Sequence, residues 1–194
     1  MKSLHTTTLL WLALTLLVPF SSIAQTKVER IDAYIEQARK DWNVPGLAVA
    51  ITRGDGLVMA KGYGQLEANK DQAVDEHTIF AIASNSKAFT AAAMAILVEE
   101  GKVKWEDPVR KYIPEFTLYA PYVSAHTQIQ DLFCHRVGLG TFSGDELWYK
   151  SALSADQLLP RLQHLPQAYP FRAGFGYSNL MYIVAGEVIR RVSG

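Results

Sequence analysis

An α+β chain is expected from three features: two short apolar runs joined by a glycine-rich turn, a long stretch of helical periodicity after them, and a composition able to build one core. The 194 residues are 49% hydrophobic and carry 19 basic and 19 acidic side chains, which suits one globular domain rather than a disordered chain. Val28, Ile31, Ile35, Ala38 and Trp42 recur at steps of three and four, so a helix from about residue 27 to 42 should have an apolar face that packs on something. Pro45-Gly46 stops it. Leu47 to Thr52 and Leu57 to Tyr63 then read as two strands joined through Arg53-Gly54-Asp55-Gly56, a hairpin. The polar segment to Asp75 reads as loop, and Ile79 to Ala83 leads into a helix opened by Ser84.

From there to His164 the pattern is mostly helical. Gly101 is a left-handed cap for the Ser84 helix. Asp107 should be an N-cap with Pro108 at the first position of a short helix closed by Pro114. Thr127 with Gln130 resembles a capping box for a helix reaching His135, and Ser154 with Gln157 repeats the device toward His164, with Pro160 a kink or first-turn residue. The last helix, about Ser178 to Val192, places Met181, Val184, Ala185, Val188 and Val192 on one face. No internal repeat or linker divides the sequence.

Met1 to Ala24 reads as a signal peptide: Lys2 is a positive start, Leu9 to Phe20 an apolar run too short to cross a bilayer comfortably, and Ser22-Ile23-Ala24 offers small residues for cleavage before Gln25. The protein is then expected to be exported, periplasmic or secreted, with no stable membrane anchor once the leader is removed. Balanced charge and a pI near 7.0 argue against a nucleic-acid partner. Cys134 is the single cysteine, so no intrachain disulfide can form. Beside His135 it could suggest a thiol nucleophile, but helix neighbours point apart, and it reads as a buried small residue. His77, His126, His135 and His164 lack zinc-ligand spacing, so no metal or organic cofactor is expected.

Candidate chemistry sits in Ser84-Asn85-Ser86-Lys87. Residues i and i+3 share a helix face, so Ser84 Oγ and Lys87 Nζ can meet, whereas Ser86 and Lys87 diverge. Ser84 is the better nucleophile. An apolar surround would push the lysine pKa down toward that of a general base, and the helix start supplies free N–H groups for an oxyanion. The bland alternative makes Ser84 an N-cap and lets Lys87 reach to solvent. About ninety residues on comes Tyr177-Ser178-Asn179. Residues two apart in an extended segment point the same way, so Tyr177 and Asn179 can present a phenol and an amide to one site. A phenolate beside an ammonium is favoured and can relay a proton, while the amide can orient the lysine and a substrate carbonyl. The alternative is a turn that only caps a helix at Ser178.

Ser84-x-x-Lys87 followed by Tyr177-x-Asn179 resembles the penicillin-recognising serine hydrolases, in the branch of class C β-lactamases, D-alanyl-D-alanine carboxypeptidases and related esterases. Phe80 to Ser84, Leu97 to Lys102, Asp107-Pro108-Val109, Tyr112 to Phe116 and His135 to Leu139 share the likeness, which runs from about residue 27 to the end. The resemblance implies an α/β/α sandwich with an antiparallel sheet plus a helical subdomain. It also implies that Ser84 is acylated, that Lys87 and Tyr177 share its proton, that Asn179 binds substrate and positions the lysine, and that the Ser84 N–H is one oxyanion donor. His135 falls where that family places a structural histidine. The substrate would be a β-lactam, a D-Ala-D-Ala-type peptide or an ester.

That family carries a third motif, Lys-Thr-Gly or a His/Tyr-x-Gly equivalent, on a strand of its carboxy-terminal half, and none follows Tyr177-x-Asn179 here. Residues 25–194 are therefore expected to be the N-terminal part of such a domain, a mostly helical portion with the first hairpin. A fragment lacking the third motif is expected to lose one oxyanion donor, so its own activity is open. The reading of function is a serine hydrolase acting through an acyl-enzyme; the alternatives are a non-catalytic penicillin- or cell-wall-binding module and an inactive fragment.

Overall fold

A computed structural model describes residues 26–194, and the leader with its expected cleavage site lies outside the described residues. The chain divides after Phe80 into two units, each with its own packing.

In the first unit, helix α1 (Lys27–Asp41) starts at a capping box. Thr26 Oγ1 accepts from the Glu29 N–H at 3.2 Å, and Glu29 Oε2 accepts from the Thr26 N–H at 2.7 Å, satisfying donors that a helix start leaves bare. Strands β1 (Gly46–Arg53) and β2 (Gly56–Gly64) pair antiparallel. Leu47 faces Tyr63 and Ile51 faces Met59, after which the register slips so that Thr52 meets Leu57. Gly54, at φ +61°, turns the corner that its two-residue loop requires. Gly64 is held at φ +72° with a Cβ position only 2.1 Å from the Pro45 carbonyl oxygen, so no side chain fits there. Asp32 ties α1 to β2: it accepts from Lys61 Nζ at 2.7 Å and from the Tyr63 hydroxyl at 2.6 Å. Burial, and then the Asp32 carboxylate, push the Tyr63 phenol up to about 12. The apolar face of α1, expected to be packed, is only partly covered: no residue of the helix is fully buried, Val28, Ile35 and Ala38 are half-buried, and Ile31 and the capping Trp42 are 40% and 82% exposed. The two-stranded sheet is too narrow to cover it.

The second unit holds the core. A 3-10 turn (Ala83–Asn85) runs into α2 (Ser86–Glu99), which ends at Gly101 in the left-handed conformation, φ +71°. After a 3-10 turn (Val109–Lys111) come α3 (Pro121–His126), α4 (Ile129–Phe133), a 3-10 turn (Asp145–Leu147), α5 (Ala155–Leu158) continued as a 3-10 helix to His164, and α6 (Asn179–Ser193). Helix α6 is the axis of packing, in contact with α2, α4 and α5. Leu180, Met181, Val184, Ala185 and Val188 are each completely buried, as the period of three and four requires. Removing such side chains from water contributes roughly 1.5–3 kcal/mol apiece for the larger ones.

Several local expectations shift. The Asp107 carboxylate does not cap a helix; it accepts from the Lys104 N–H at 2.9 Å and from Lys111 Nζ at 2.8 Å. Pro108 is the capping residue of a single 3-10 turn, not the first position of a helix. The capping pair expected at Thr127 and Gln130 lies one residue later, at Gln128 and Asp131, with the Gln128 N–H bonded to Asp131 Oδ2 at 2.9 Å. Thr127 is unavailable because its hydroxyl already donates to the Val123 carbonyl at 2.7 Å. Helix α4 consequently ends at Phe133, and Cys134, expected to be buried, is exposed at its end. The Ser154 and Gln157 box forms as expected, with Pro160 in the first turn of the 3-10 helix.

Met181 is sealed between α6 and its neighbours, so Met181→Ala should cost about 2–5 kcal/mol. Chemical denaturation of the two proteins measures it, and a loss below about 1 kcal/mol would mean that α6 is not the packed axis.

Candidate active site

Ser84 lies in the second unit, in the tight turn that feeds α2, two residues before the helix itself. Residues i and i+3 align in a 3-10 turn as in an α-helix, and Lys87 Nζ stands 3.2 Å from Ser84 Oγ. The preceding Ala83 is held at φ +45°, a conformation that L-residues with a Cβ rarely adopt and that costs on the order of 1–3 kcal/mol. Asn85, not Ser84, is the N-cap of α2, and no side-chain hydroxyl caps it. Lys87 does not reach away to solvent either.

Tyr177 and Asn179 arrive from the start of α6. Ser178 caps that helix, its hydroxyl accepting from the Met181 N–H at 3.4 Å. Its φ of −124° and ψ of 117° are extended, which sends the side chains on either side of it to one face. The Tyr177 hydroxyl is 2.7 Å from Ser84 Oγ, and Lys87 Nζ donates to Asn179 Oδ1 at 2.6 Å. Two segments ninety residues apart thus deliver a hydroxyl, an amine, a phenol and a carboxamide to one place.

The surroundings of the lysine differ from the apolar wall expected. Nζ lies 4.8 Å from the Tyr177 ring centre and 5.2 Å from that of Tyr182, besides its bonds to Asn179 and Ser84. Ring faces and a carbonyl oxygen attract a cation, so this pocket accommodates an ammonium standing at the helix end that repels it. That ammonium acts on the phenol: first Lys87, then the Ser84 hydroxyl, hold the Tyr177 pKa below the ordinary tyrosine value. With the phenol neutral it donates to Ser84 at 2.7 Å; a phenolate at that distance is placed to accept from the serine hydroxyl instead.

His135 backs the phenol. Its ring stacks on Tyr177 with centres 4.6 Å apart and planes at 28°, and its Nδ1 accepts from the Ser178 N–H at 3.0 Å. Burial first, and the Lys87 charge second, lower its pKa, so the ring is neutral as that acceptor role requires. The backbone here is fixed by Gly176 N–H to the His135 carbonyl at 2.9 Å and Phe142 N–H to the Tyr177 carbonyl at 2.8 Å. A Cβ on Gly176 would fall 1.8 Å from the Leu139 carbonyl oxygen, so only glycine permits this approach.

An open cleft of about 390 Å³ runs over these groups, lined by Ser84, Ser86, Lys87, Thr90, Trp148, Asn179, Tyr182 and Ile183. Three residues around it are not picked out by the sequence patterns above. Tyr182, three residues after Asn179, could have been placed on its face of α6. Asp145 and Trp148 could not: Asp145 Oδ2 accepts from Asn179 Nδ2 at 2.8 Å, a contact across 34 residues that no local pattern announces, and its Oδ1 accepts from Trp148 Nε1 three residues on at 2.9 Å. Among the described residues no group of His, Cys, Asp and Glu could hold a metal ion, and no helix is long and apolar enough to cross a membrane.

Residues 31–194 match the family model described as Beta-lactamase. The chain is 34% identical over 167 residues to "Unguisins hydrolase ungD" of Aspergillus violaceofuscus, covering 82% of this chain and 29% of that protein. It is 28% identical over 169 residues to "Protein flp" of Staphylococcus aureus, covering 85% and 33%. The octameric penicillin-binding protein homologue from Pyrococcus abyssi superposes with a TM-score of 0.73 at 25% identity, over 87% of this chain and 40% of that one. The chain therefore spans about a third of the curated relatives it matches. A fold shared over nearly the whole described length, together with a family match covering both segments of the cleft, makes this chain a member of the Beta-lactamase family.

Proposed function

We propose that the protein is the catalytic-serine portion of a hydrolase that opens an amide, β-lactam or ester carbonyl through an acyl-enzyme. The observation that carries this is the simultaneous approach of Tyr177 Oη and Lys87 Nζ to Ser84 Oγ, at 2.7 and 3.2 Å. Membership of the Beta-lactamase family and a relative named as a hydrolase support the reaction class.

In this reading Tyr177 as phenolate takes the Ser84 proton while Oγ bonds to the carbonyl carbon. The Lys87 ammonium stabilises the phenolate through that transfer. The developing oxyanion takes one hydrogen bond from the Ser84 N–H at the turn. Collapse breaks the carbonyl bond to nitrogen or oxygen, and Tyr177 returns the proton to the leaving group. Water then adds to the acyl-serine with the same phenolate accepting its proton, and Ser84 leaves with that proton restored. Asn179 keeps the lysine in place and offers its amide to the substrate carbonyl. The leader-like pattern of the first 24 residues supports an exported, periplasmic or secreted setting for this chemistry. No metal or organic cofactor enters any step.

Incubation of the protein with a fluorophosphonate and with a fluorescent penicillin, followed by intact-mass analysis, tests this. One adduct on Ser84, absent in Ser84→Ala, is expected; a folded protein that takes no adduct from either reagent contradicts the proposal. Labelling without hydrolysis of nitrocefin or p-nitrophenyl esters would instead favour the binding-module reading.

Because the phenol pKa is depressed, the acylation rate should rise with pH through a midpoint below about 10, the unperturbed tyrosine value. Tyr177→Phe should remove that limb and slow acylation by about 100- to 10,000-fold, measured as adduct formation against time between pH 5 and 10. The His135 contribution carries the opposite edge. Its folded pKa lies below the unfolded value of about 6.5, so its contribution to stability is complete above that value and is lost as pH falls through the folded pKa. Melting temperature against pH should therefore decline on the acid side in the parent, and less steeply in His135→Phe.

A further inference from the structure

We infer that Asp145 is a positioning residue for the reaction, setting which end of the Asn179 carboxamide meets Lys87. The inference rests on the reading of the site given above.

An asparagine side chain can present either its oxygen or its NH2 group to a neighbour, and the two orientations are nearly alike in shape. Lys87 needs the oxygen, because an ammonium has only donors. Asn179 by itself has no means of choosing. Asp145 makes the choice: its carboxylate only accepts, and Oδ2 sits 2.8 Å from Asn179 Nδ2. Turning the amide over would set its oxygen against a carboxylate and its NH2 against an ammonium. Both bonds would be lost and both replaced by repulsion.

The carboxylate is itself held. Trp148 Nε1 donates to Asp145 Oδ1 at 2.9 Å, so each oxygen has one fixed partner. Its backbone is pinned by the Phe142 carbonyl to the Asp145 N–H at 3.1 Å and by the Tyr149 N–H to the Asp145 carbonyl at 2.9 Å. Gly144 stands before it at φ +77°, with a Cβ position 2.6 Å from the Leu180 side chain, so the turn lies directly on the residue after Asn179. A relay results, running from the indole through Asp145 and Asn179 to Lys87, and from there to Ser84 at 3.2 Å. Asp145 makes no hydrogen bond or ion pair with Ser84 or Lys87; it acts on Lys87 through the amide, and on Tyr177 at longer range through its charge. Its charge also opposes the phenolate, raising the Tyr177 pKa slightly against the larger lowering by Lys87 and Ser84.

The test is acylation of Ser84 by the fluorophosphonate in Asp145→Asn, Asn179→Ala and the double variant. Asp145→Asn should slow acylation by about 10- to 100-fold and move the alkaline limb to lower pH, since a charge that opposes the phenolate is gone. In the Asn179→Ala background the same change should cost less than about twofold, because residues acting in series are not additive. Losses that simply add, or an Asp145→Asn rate within twofold of the parent, overturn the inference. Should Asp145→Asn fail to fold, Trp148→Phe, which frees one carboxylate oxygen and keeps the charge, replaces it with the same expectation of a loss that vanishes in Asn179→Ala. A second readout does not need acylation at all. The Asn179 side-chain amide proton that faces Asp145 should resonate downfield in the parent and lose that shift in the variant, together with a change at the Lys87 ammonium. Unchanged resonances would overturn the inference even if no reagent labels Ser84, an outcome that would count separately against the proposed function.

Discussion

The packing of α2 against α6 governs the site. Each helix contributes the side chains around its own start, so the cleft exists only if those two starts lie side by side. Met94 and Leu97 bury one face of α2, and Leu180 to Val188 bury the facing stripe of α6. The bond from Lys87 Nζ to Asn179 Oδ1 at 2.6 Å bridges the result. Nothing in the motif residues themselves could bring Ser84 to Tyr177 across ninety positions; buried apolar surface does it.

Within that frame the electrostatics are cooperative. An ammonium near a phenol favours the phenolate, and in the proposed reaction that phenolate takes the proton of the serine beside it. His135 supports the arrangement from behind as a neutral ring, because its Nδ1 must accept from the Ser178 N–H. Polar networks of this kind are strong when every member is satisfied and costly when one is not. That accounts for the effort spent on backbone placement around them: Ala83 in the left-handed region, Gly176 pressed on the Leu139 carbonyl, and Gly144 turning Asp145 toward α6.

Local rules made much of this legible. Ser84 with Lys87 and Tyr177 with Asn179 follow from spacing alone, as do the Ser178 cap, the Gly101 stop and the buried stripe of α6. The α+β character and the hairpin were equally readable. Errors came where a residue had a stronger competing partner. Thr127 was committed to the Val123 carbonyl, and Asp107 to Lys104 and Lys111, so neither capped as expected. Cys134 reads as a buried small residue in sequence, but α4 ends at Phe133 and leaves it exposed. Asp145 was silent because its role depends on Asn179 and Trp148, and an acid in a glycine turn carries no signal of a distant amide. The face of α1 reads as core in sequence, and a two-stranded sheet cannot supply its cover.

The central physical claim is that Lys87 and Ser84 lower the Tyr177 pKa enough to matter for proton transfer. Titration of the protein labelled with 13C at the tyrosine ζ carbon reads this directly, the Tyr177 resonance being assigned by its loss in Tyr177→Phe. The account predicts a Tyr177 midpoint below about 10 that returns toward the ordinary value in Lys87→Ala. A midpoint at or above 10 in the parent, or one indifferent to Lys87, would contradict it.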